Sequence, residues 1–284
     1  MTTLADLAEL VRAPAALSVP GDVVAGAAAA GALGPRTPAL AGASVLLYWA
    51  GMAANDWADR GLDAVERPER PIPSGRITPA AAVGLAAGLT AAGVGLAAAV
   101  GGRRAAALAV PLAATIWGYD LLAKNTAAGP AVMAACRGLD VLLGASGGRV
   151  TRALPAAVTV AAHTWTVTAL SRREVTGADA TLPMRTLAGT AVVAASAAVT
   201  APRRVAALPA VLAGWYAARY GAAQVEVVRD PSAGRVRAAV GAGITGLPAL
   251  QGALTARGGA GLLGVAVAAA APLGRLLARK VSPT

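Results

Sequence analysis

Residues 79–100 read PAAAVGLAAGLTAAGVGLAAAV, and these 22 positions include no charged side chain. About 20 apolar residues cross the hydrocarbon core of a bilayer as a helix, so this segment alone predicts a transmembrane helix. The composition agrees with it, because 14% of the 284 residues are charged, whereas a soluble domain carries about 25%. The sequence therefore indicates an integral membrane protein.

Comparable apolar segments occur along the rest of the chain, and their many Ala and Gly residues allow helices to pack closely in lipid. We predict an all-α integral membrane protein of nine or ten transmembrane helices, which form one domain over residues 1–284. Connections such as 101–103 and 201–202 are so short that neighbouring helices must run antiparallel. The candidate spans are 14–33, 38–54, 79–100, 104–122, 130–147, 154–170, 186–200, 203–220, 236–254 and 259–277.

The basic residues lie at the ends of the apolar segments. A net charge of +11 is compatible with nucleic-acid binding, but that function needs a continuous basic face, so we expect no nucleic-acid partner. The loops 55–78, 171–185 and 221–235 share one side of the predicted membrane with both termini, and this side carries 16 Lys and Arg residues against 8 on the other. The positive-inside rule then predicts a multi-pass protein of the cytoplasmic membrane with these loops in the cytoplasm.

The segment that follows the second span reads NDWADRGLD over residues 55–63. If the helix continues through it, Asn55, Asp59 and Asp63 recur every four residues and form a stripe that drifts by about 40° per step. Asp56 then points about 100° away from Asn55. One amide oxygen and two carboxylates are the hard ligands that Mg²⁺ prefers, usually together with phosphate oxygens. The stripe therefore predicts a magnesium site.

The same loop continues as ERPERPIPSGR over residues 66–76. Three prolines stiffen this segment, and the guanidinium groups of Arg67 and Arg70 can form forked hydrogen bonds with a phosphate. The alternative is a charged cytoplasmic loop in which these acids and arginines pair with one another. The residue types leave both interpretations open.

Two motifs together resemble a known family. The pattern Asn-Asp-x-x-Asp-x-x-x-Asp at 55–63, followed by RPIPSG at 70–75, resembles the first aspartate-rich motif of the UbiA superfamily of intramembrane prenyltransferases. The resemblance extends over about residues 12–277. It implies a helical bundle around a central cavity and magnesium-dependent use of an isoprenyl diphosphate.

On the basis of this resemblance, Asn55, Asp59 and Asp63 would hold magnesium against the diphosphate. The two aspartates and Lys124 would be the catalytic residues, and Lys124 would bind diphosphate oxygens. Tyr119 resembles the tyrosine that follows the fourth span in the family, and it would contact substrate.

The second motif departs from the family pattern. The family usually carries Asp-x-x-x-Asp after the sixth span, followed by Gly-x-x-Thr-Leu, and alignment on the TL pair at 181–182 places Leu170 and Glu174 at the two acidic positions. One carboxylate is therefore missing, and Glu174 is the remaining candidate metal ligand. The run SRREV at 171–175 resembles the divergent EboC-like branch of the superfamily. Arg172 and Arg173 could replace a metal charge at the diphosphate, or they could be a positive-inside anchor.

Ionisable residues within the spans usually face a cavity or a partner. Arg137 and Asp140 are three residues apart, so we expect them to pair on one helix face, with contact of Arg137 to diphosphate or acceptor as the alternative. Asp22 is a candidate acceptor contact. His163 is expected to form a helix-to-helix hydrogen bond.

The leading functional hypothesis is a magnesium-dependent transfer of an isoprenyl group from a prenyl diphosphate to a small acceptor within the membrane. One alternative is a terpene cyclase, in which the same ionisation is followed by internal capture of the cation. A second alternative is a non-enzymatic carrier of a lipid-linked intermediate. Membrane lipid is an expected partner in each case.

Overall fold

The computed structural model describes residues 2–13, 18–179, 181–198 and 207–270, and every regular element within them is helical. The all-α prediction is therefore confirmed for this part of the chain. In chain order the helices are α1 (Leu4–Leu10), α2 (Pro20–Ala30), α3 (Arg36–Glu66), α4 (Pro79–Gly118), α5 (Gly129–Gly144), α6 (Val150–Ser171), α7 (Thr181–Ala198), α8 (Ala207–Arg229), α9 (Ala233–Arg257) and α10 (Gly261–Ala270).

Within the described residues, three helical stretches are long and apolar enough to cross a membrane, namely Arg36–Glu66, Pro79–Ala123 and Val150–Ser171. The helix α2 has 11 residues and is shorter than the predicted span 14–33, of which residues 14–17 lie outside the described residues. The described residues also leave out the predicted turn 201–202, the end of span 186–200, the start of span 203–220 and the end of span 259–277.

The two longest helices frame the aspartate motif. The helix α3 continues for 31 residues from Arg36 to Glu66, beyond the predicted span 38–54, so residues 55–63 are helical as the stripe of Asn55, Asp59 and Asp63 requires. The helix α4 is interrupted at Gly102, which has φ 64° and ψ −158°, a conformation that glycine adopts without strain. The indole N–H of Trp117 donates to the hydroxyl of Thr90 at 3.0 Å, whereas a straight helix would separate these residues by about 40 Å. The chain therefore reverses at Gly102, as the short predicted connection 101–103 requires.

Close backbone contact holds α2 against α5. A Cβ atom at Gly26 would lie 1.8 Å from the carbonyl oxygen of Val141, and one at Gly144 would lie 2.0 Å from that of Val23. Such contact needs glycine at both positions, as is common between helices in membranes. The two helices are thereby held in direct backbone contact.

A small apolar cluster seals the bundle at the aspartate end. Leu10 of α1, Ala53 and Ala54 of α3, and Ile72 and Ile77 of the following loop are all buried in it. The loop that follows α3 is therefore folded against the bundle, which positions its arginines beside the aspartates.

Candidate active site

One face of the α3 end meets the end of α4. The amide nitrogen of Asn55 donates to a carboxylate oxygen of Asp120 at 3.0 Å, and the ammonium nitrogen of Lys124 lies 2.5 Å from a carboxylate oxygen of Asp59. The side chain of Asp59 is 26% exposed and that of Lys124 is 14% exposed. Asn55, Asp59 and Lys124, which the sequence singles out, therefore lie together.

A π-helical turn over Tyr119–Ala123 makes this meeting possible. Its backbone bond runs from the N–H of Lys124 to the carbonyl oxygen of Tyr119 at 2.9 Å, five residues apart, and such turns are frequent at functional sites. Both Asp120 and Lys124 then face α3. The sequence analysis missed Asp120, although its position directly after Tyr119 is a usable signal.

The other aspartates of α3 face arginines. Arg70 bridges two of them, because its terminal nitrogen Nη1 lies 2.7 Å from a carboxylate oxygen of Asp63 and 3.2 Å from one of Asp56. Arg12 lies 2.7 Å from the same oxygen of Asp56, and Arg67 lies 3.7 Å from Asp63. Both aspartates are buried, with 4% and 2% of their surfaces exposed. The predicted pairing of loop arginines with these acids is therefore present.

Helix geometry explains why the predicted stripe divides into two faces. Two steps of four residues place Asp63 about 80° from Asn55, whereas Asp56 lies about 100° from it. Asp63 and Asp56 therefore point the same way, about 20° apart. From the sequence, Asp56 is placed only relative to Asn55, and the seven-residue spacing between Asp56 and Asp63 is the signal that was overlooked.

The loop after α3 is also tied to the N-terminal helix. The guanidinium of Arg76 lies 2.7 Å from Asp6 and 2.7 Å from Glu9, and it donates to the carbonyl oxygen of Glu69 at 2.7 Å. Hydrogen bonds from the backbone and hydroxyl of Thr3, with help from Arg76, lower the pKa of Asp6 to about 2. This contact fixes the loop that carries Arg70.

The donor atoms at this end suit magnesium by their chemistry. Asn55, Asp59 and Asp63 offer hard oxygen ligands, and each of the two carboxylates is at present balanced by a Lys or Arg cation. Within the described residues no group of three His, Cys, Asp or Glu side chains has the spacing of a metal site. A metal at this position therefore requires the cations to release their aspartates.

The second motif region is built differently. Leu170, at the first acidic position of the family pattern, is fully buried in the core, and Asp179 accepts hydrogen bonds from the N–H groups of Thr181 and Leu182 at 2.9 Å, which begin α7. Glu174 is partly buried, which raises its pKa, and its carbonyl oxygen accepts from Arg237 at 2.7 Å. The described geometry gives Glu174 no contact with the α3 aspartates.

The two arginines of this region also differ from each other. Arg172 donates to the carbonyl oxygen of Thr126, in the loop that begins with Lys124. Arg173 is exposed. Arg172 is therefore the one that connects the second motif region to the cation at Asp59.

Two cavities adjoin the aspartate end. The smaller, of about 220 Å³, is lined by Arg12, Asn55 and Asp120 among others. The larger, of about 320 Å³, extends into the bundle, and its walls are mainly apolar. Both are lined by Tyr48, Met52, Tyr119 and Met133, so a polar and an apolar compartment meet at these four residues.

Tyr48 stands out among the shared residues. It is 8% exposed, and its hydroxyl has no hydrogen-bond partner among the described residues. Because buried hydroxyl groups are normally hydrogen-bonded, this group is available to a molecule in the cavities. The guanidinium carbon of Arg137 lies 5.5 Å from the centre of the Tyr48 ring.

The buried charges within the bundle pair differently from the prediction. Arg137 does not pair with Asp140: its Nε lies 2.7 Å from a carboxylate oxygen of Asp22 on another helix, and Asp140 accepts from the hydroxyl of Ser44 at 2.5 Å. The other oxygen of Asp22 accepts from Gln251 at 2.7 Å. The spacing of three residues predicted a local pair, but the approach of α2 to α5 supplies a nearer partner. Asp22, fully buried, is occupied by these contacts.

His163 forms the expected contact between helices. Its Nδ1 lies 2.9 Å from the hydroxyl of Tyr216, and its ring packs edge-on against Tyr216 and Tyr220 of α8. The prediction of a helix-to-helix hydrogen bond is confirmed.

Comparison with known proteins places these features in context. The model of the UbiA prenyltransferase family matches residues 18–225. A digeranylgeranylglyceryl phosphate synthase from Methanothrix thermoacetophila is 57% identical over 49 residues, or 17% of this chain and 18% of the relative. The enzyme of that name from Methanopyrus kandleri is 42% identical over 76 residues, or 27% and 28%. The bacteriochlorophyll synthase 33 kDa chain of Rhodobacter capsulatus is 72% identical over 25 residues, or 9% and 8%. This chain thus aligns with less than a third of the length of each of these relatives.

Solved structures share the fold. A structure from a study of digeranylgeranylglyceryl phosphate synthase in membranes superposes with a TM-score of 0.70 at 15% identity, over 91% of this chain and 99% of the other. An apo structure of a UbiA homologue from Aeropyrum pernix K1 superposes with a TM-score of 0.63 at 18% identity, over 88% and 96%. At these identities the likeness concerns the fold.

Proposed function

The chain belongs to the UbiA prenyltransferase family, and from this premise we propose that it transfers an isoprenyl group from a prenyl diphosphate to a small acceptor within the membrane. The observation that carries the proposal is the junction of two cavities, one polar and bordered by Asn55 and Asp120, the other apolar. A prenyl diphosphate has the same division into a charged head and an apolar chain.

The diphosphate would lie in the polar compartment. Lys124 and Arg12 already hold carboxylates at this end, and they would turn to diphosphate oxygens. Further positive charge at this end would come from four arginines of the two loops, Arg67, Arg70, Arg172 and Arg173. A diphosphate carries about three negative charges, which several arginine forks can match.

Magnesium, when bound, would act as a Lewis acid that stabilises charge on the departing diphosphate. Asn55, Asp59 and Asp63 would hold it, and Glu174, which has no contact with these aspartates, would not be a ligand of this ion. The family usually depends on such a metal, and the oxygen donors here suit it. Because the second motif has lost one acid, we propose a single well-occupied magnesium site.

That count can be tested without measuring turnover. Titration of the purified protein with Mn²⁺, followed by electron paramagnetic resonance of the free ion, should give one tight site per chain. Asp59→Asn should abolish it, and Glu174→Gln should leave it. Two tight sites, one of them lost in Glu174→Gln, would restore the ordinary two-metal arrangement.

The prenyl chain would occupy the apolar cavity, whose wall includes Val167, Val240, Ile244 and Leu247. The bond between C1 of the chain and the diphosphate oxygen breaks, and the acceptor nucleophile forms the new bond to C1. The apolar wall excludes water, which would otherwise capture the cation. Tyr48 and Tyr119 line both compartments and would orient the acceptor at their junction.

The acceptor is a separate part of the proposal. The names of the relatives point to two different products, a glyceryl phosphate lipid and a bacteriochlorophyll. Arg137 lines the larger cavity and is a candidate contact for a polar group of the acceptor. Asp22 would act by holding Arg137 in place.

For the arrangement in the membrane, we propose nine or ten spans with the aspartate end at the cytoplasmic face. Single cysteines at Glu69 and Val175, both exposed, can be placed in a Cys136→Ala background. Both should react with a membrane-impermeant maleimide from the cytoplasmic side alone. Reaction of one of them from outside would contradict a shared site.

The activity test uses the purified chain with prenyl diphosphates of several lengths, with and without a glyceryl phosphate acceptor. Transfer predicts release of diphosphate that requires both magnesium and acceptor. Release without acceptor, together with a cyclic hydrocarbon product, would favour a terpene cyclase. Failure of every donor to release diphosphate would favour a carrier.

A further inference from the structure

A second polar cavity lies at the far end of α3, about 40 Å from Asp63 along the helix axis. It has a volume of about 310 Å³. Three segments surround it: the start of α3 at Gly34, Pro35 and Arg36, the reversal in α4 at Gly101, and the short 3₁₀ turn Ala145–Gly147 that follows α5. It is separate from the active site and independent of the proposed reaction.

Ser146 provides an unused hydrogen-bonding group in this cavity. It is 2% exposed, and its hydroxyl has no hydrogen-bond partner among the described residues. Its surroundings are mainly glycine and alanine, which offer no polar side chain. Because buried hydroxyl groups are normally hydrogen-bonded, a bound molecule is the natural partner.

The charge of the cavity favours an anion. Arg36 lines it and forms no ion pair with any described residue, and among the described residues no acidic side chain lines it. The helix α3 begins here, with no side chain capping it, and the start of a 31-residue helix carries partial positive charge that attracts phosphate groups.

An apolar groove adjoins the cavity at Gly34, which lines both. The groove has a volume of about 620 Å³, and it is lined by residues of α2, α3 and α10 that include Val24, Val45 and Leu263. An anion-binding cavity that continues into an apolar groove matches an amphiphile with an anionic head group. A free phosphate ion would fill the first part and leave the second uncovered.

We propose that this end of the molecule binds a phospholipid. Its phosphate would accept hydrogen bonds from Ser146 and Arg36, and one of its chains would lie in the groove between α2, α3 and α10. The site would bind any lipid with a monoanionic phosphate head group, and it would hold the α2–α3 connection against the reversal in α4.

The test measures lipid binding by native mass spectrometry of the full chain, purified and delipidated in detergent. The probes are dioleoylphosphatidylglycerol, dioleoylglycerol with the same chains, and inorganic phosphate. We expect one phosphatidylglycerol to bind tightly, and the other two probes to bind far more weakly. Equal binding of dioleoylglycerol would overturn the role of the phosphate, and equal binding of inorganic phosphate would overturn the role of the chain.

Variants locate the site. Ser146→Ala and Arg36→Gln should each weaken phosphatidylglycerol binding about tenfold, as expected for one hydrogen bond to a charged group. Arg104→Gln is the matched control, because Arg104 is exposed near the same end and does not line the cavity. An equal loss in Arg104→Gln would mean diffuse surface attraction and would overturn the proposal.

A third variant tests the groove. A Cβ atom at Gly42 would have its nearest neighbour, a Leu96 methyl group, at 3.9 Å, so Gly42→Leu can fold and fill the groove that Gly42 lines. It should weaken phosphatidylglycerol binding while leaving that of inorganic phosphate unchanged. Unchanged binding of phosphatidylglycerol would overturn the placement of its acyl chain in the groove.

Discussion

The loops at 67–78 and 172–179 both lie at the aspartate end, but their charged side chains make different contacts. The first brings arginines onto buried aspartates of α3, and Arg70 alone bridges Asp56 and Asp63. The second follows Leu170 of α6, which occupies the position of an acid in the family pattern, and its Arg172 contacts the loop of Lys124. The difference fits the proposed asymmetric site, in which a metal would be held on the first side and fixed cations would supply positive charge on the second.

The largest expected effect is on the first side. Asp59→Asn and Asp63→Asn should each reduce turnover by about 10³-fold, because each removes a carboxylate that would hold the metal at the developing charge. The measurement is magnesium-dependent release of diphosphate from a prenyl diphosphate in the presence of acceptor. Near-normal turnover in either variant would show that the stripe of Asn55, Asp59 and Asp63 is not part of the active site.

The two variants should differ in stability, which makes each a control for the other. Asp63 has a side chain only 3% exposed and holds Arg70, so its replacement removes the nearer of the two carboxylates that balance this largely buried cation. Asp59 is 26% exposed, and Asp59→Asn should change the melting temperature little. Equal melting temperatures would mean that the Asp63–Arg70 pair contributes nothing to the fold.

The double variant Arg172→Ala plus Arg173→Ala should be nearly as damaging as Asp59→Asn, because it would remove the positive charge that we propose in place of a second metal ion. Both arginines are exposed, but most of the loss should come from Arg172, which contacts the carbonyl oxygen of Thr126, whereas the side chain of Arg173 forms no hydrogen bond among the described residues. Single variants, assayed for KM of the prenyl diphosphate and for kcat, separate the two. A larger loss in Arg173→Ala would reverse their assignment.

Glu174→Gln should be milder, with turnover reduced less than about tenfold, since one isolated carboxylate is a poor magnesium site. The structure agrees with a lesser role, because Glu174 contacts Arg237 through its carbonyl oxygen, which the variant retains. The assay is the same diphosphate release. A loss as large as that of Asp59→Asn would contradict the proposed asymmetry between the two loops.

The fold and the first motif could be largely predicted from the sequence because both depend on local spacing. Apolar segments predict helices, and the four-residue repeat correctly indicates that α3 continues through Asp63. The partner of Arg137 could not be predicted, because Asp22 reaches it through the packing of α2 on α5. For Asp120 the sequence offers its position directly after Tyr119, but its contact with Asn55 depends on a π-helical turn that no residue pattern predicts.

The smallest expected effect concerns two acids that hold the loops rather than the substrate. Asp6 anchors Arg76 of the first loop, and Asp179 begins α7 after the second. Hydrogen bonds lower the pKa of both: that of Asp6 falls from 3.8 to about 2 through Thr3, and that of Asp179 falls through the N–H of Leu182 and the Thr181 hydroxyl.

A carboxyl group whose pKa is lower in the folded state stabilises the fold above its unfolded pKa, and this stabilisation is lost as the pH falls through the folded pKa. Asp6→Asn and Asp179→Asn should therefore each lower the melting temperature by about 2 °C at pH 7. For Asp6→Asn the difference from the parent protein should shrink between pH 4 and pH 2. Thermal unfolding in detergent across that range measures it. Because Asp6 also fixes the loop of Arg70, Asp6→Asn should reduce turnover slightly, whereas Asp179→Asn should not. The opposite order would show that the second loop is the one whose position the reaction needs.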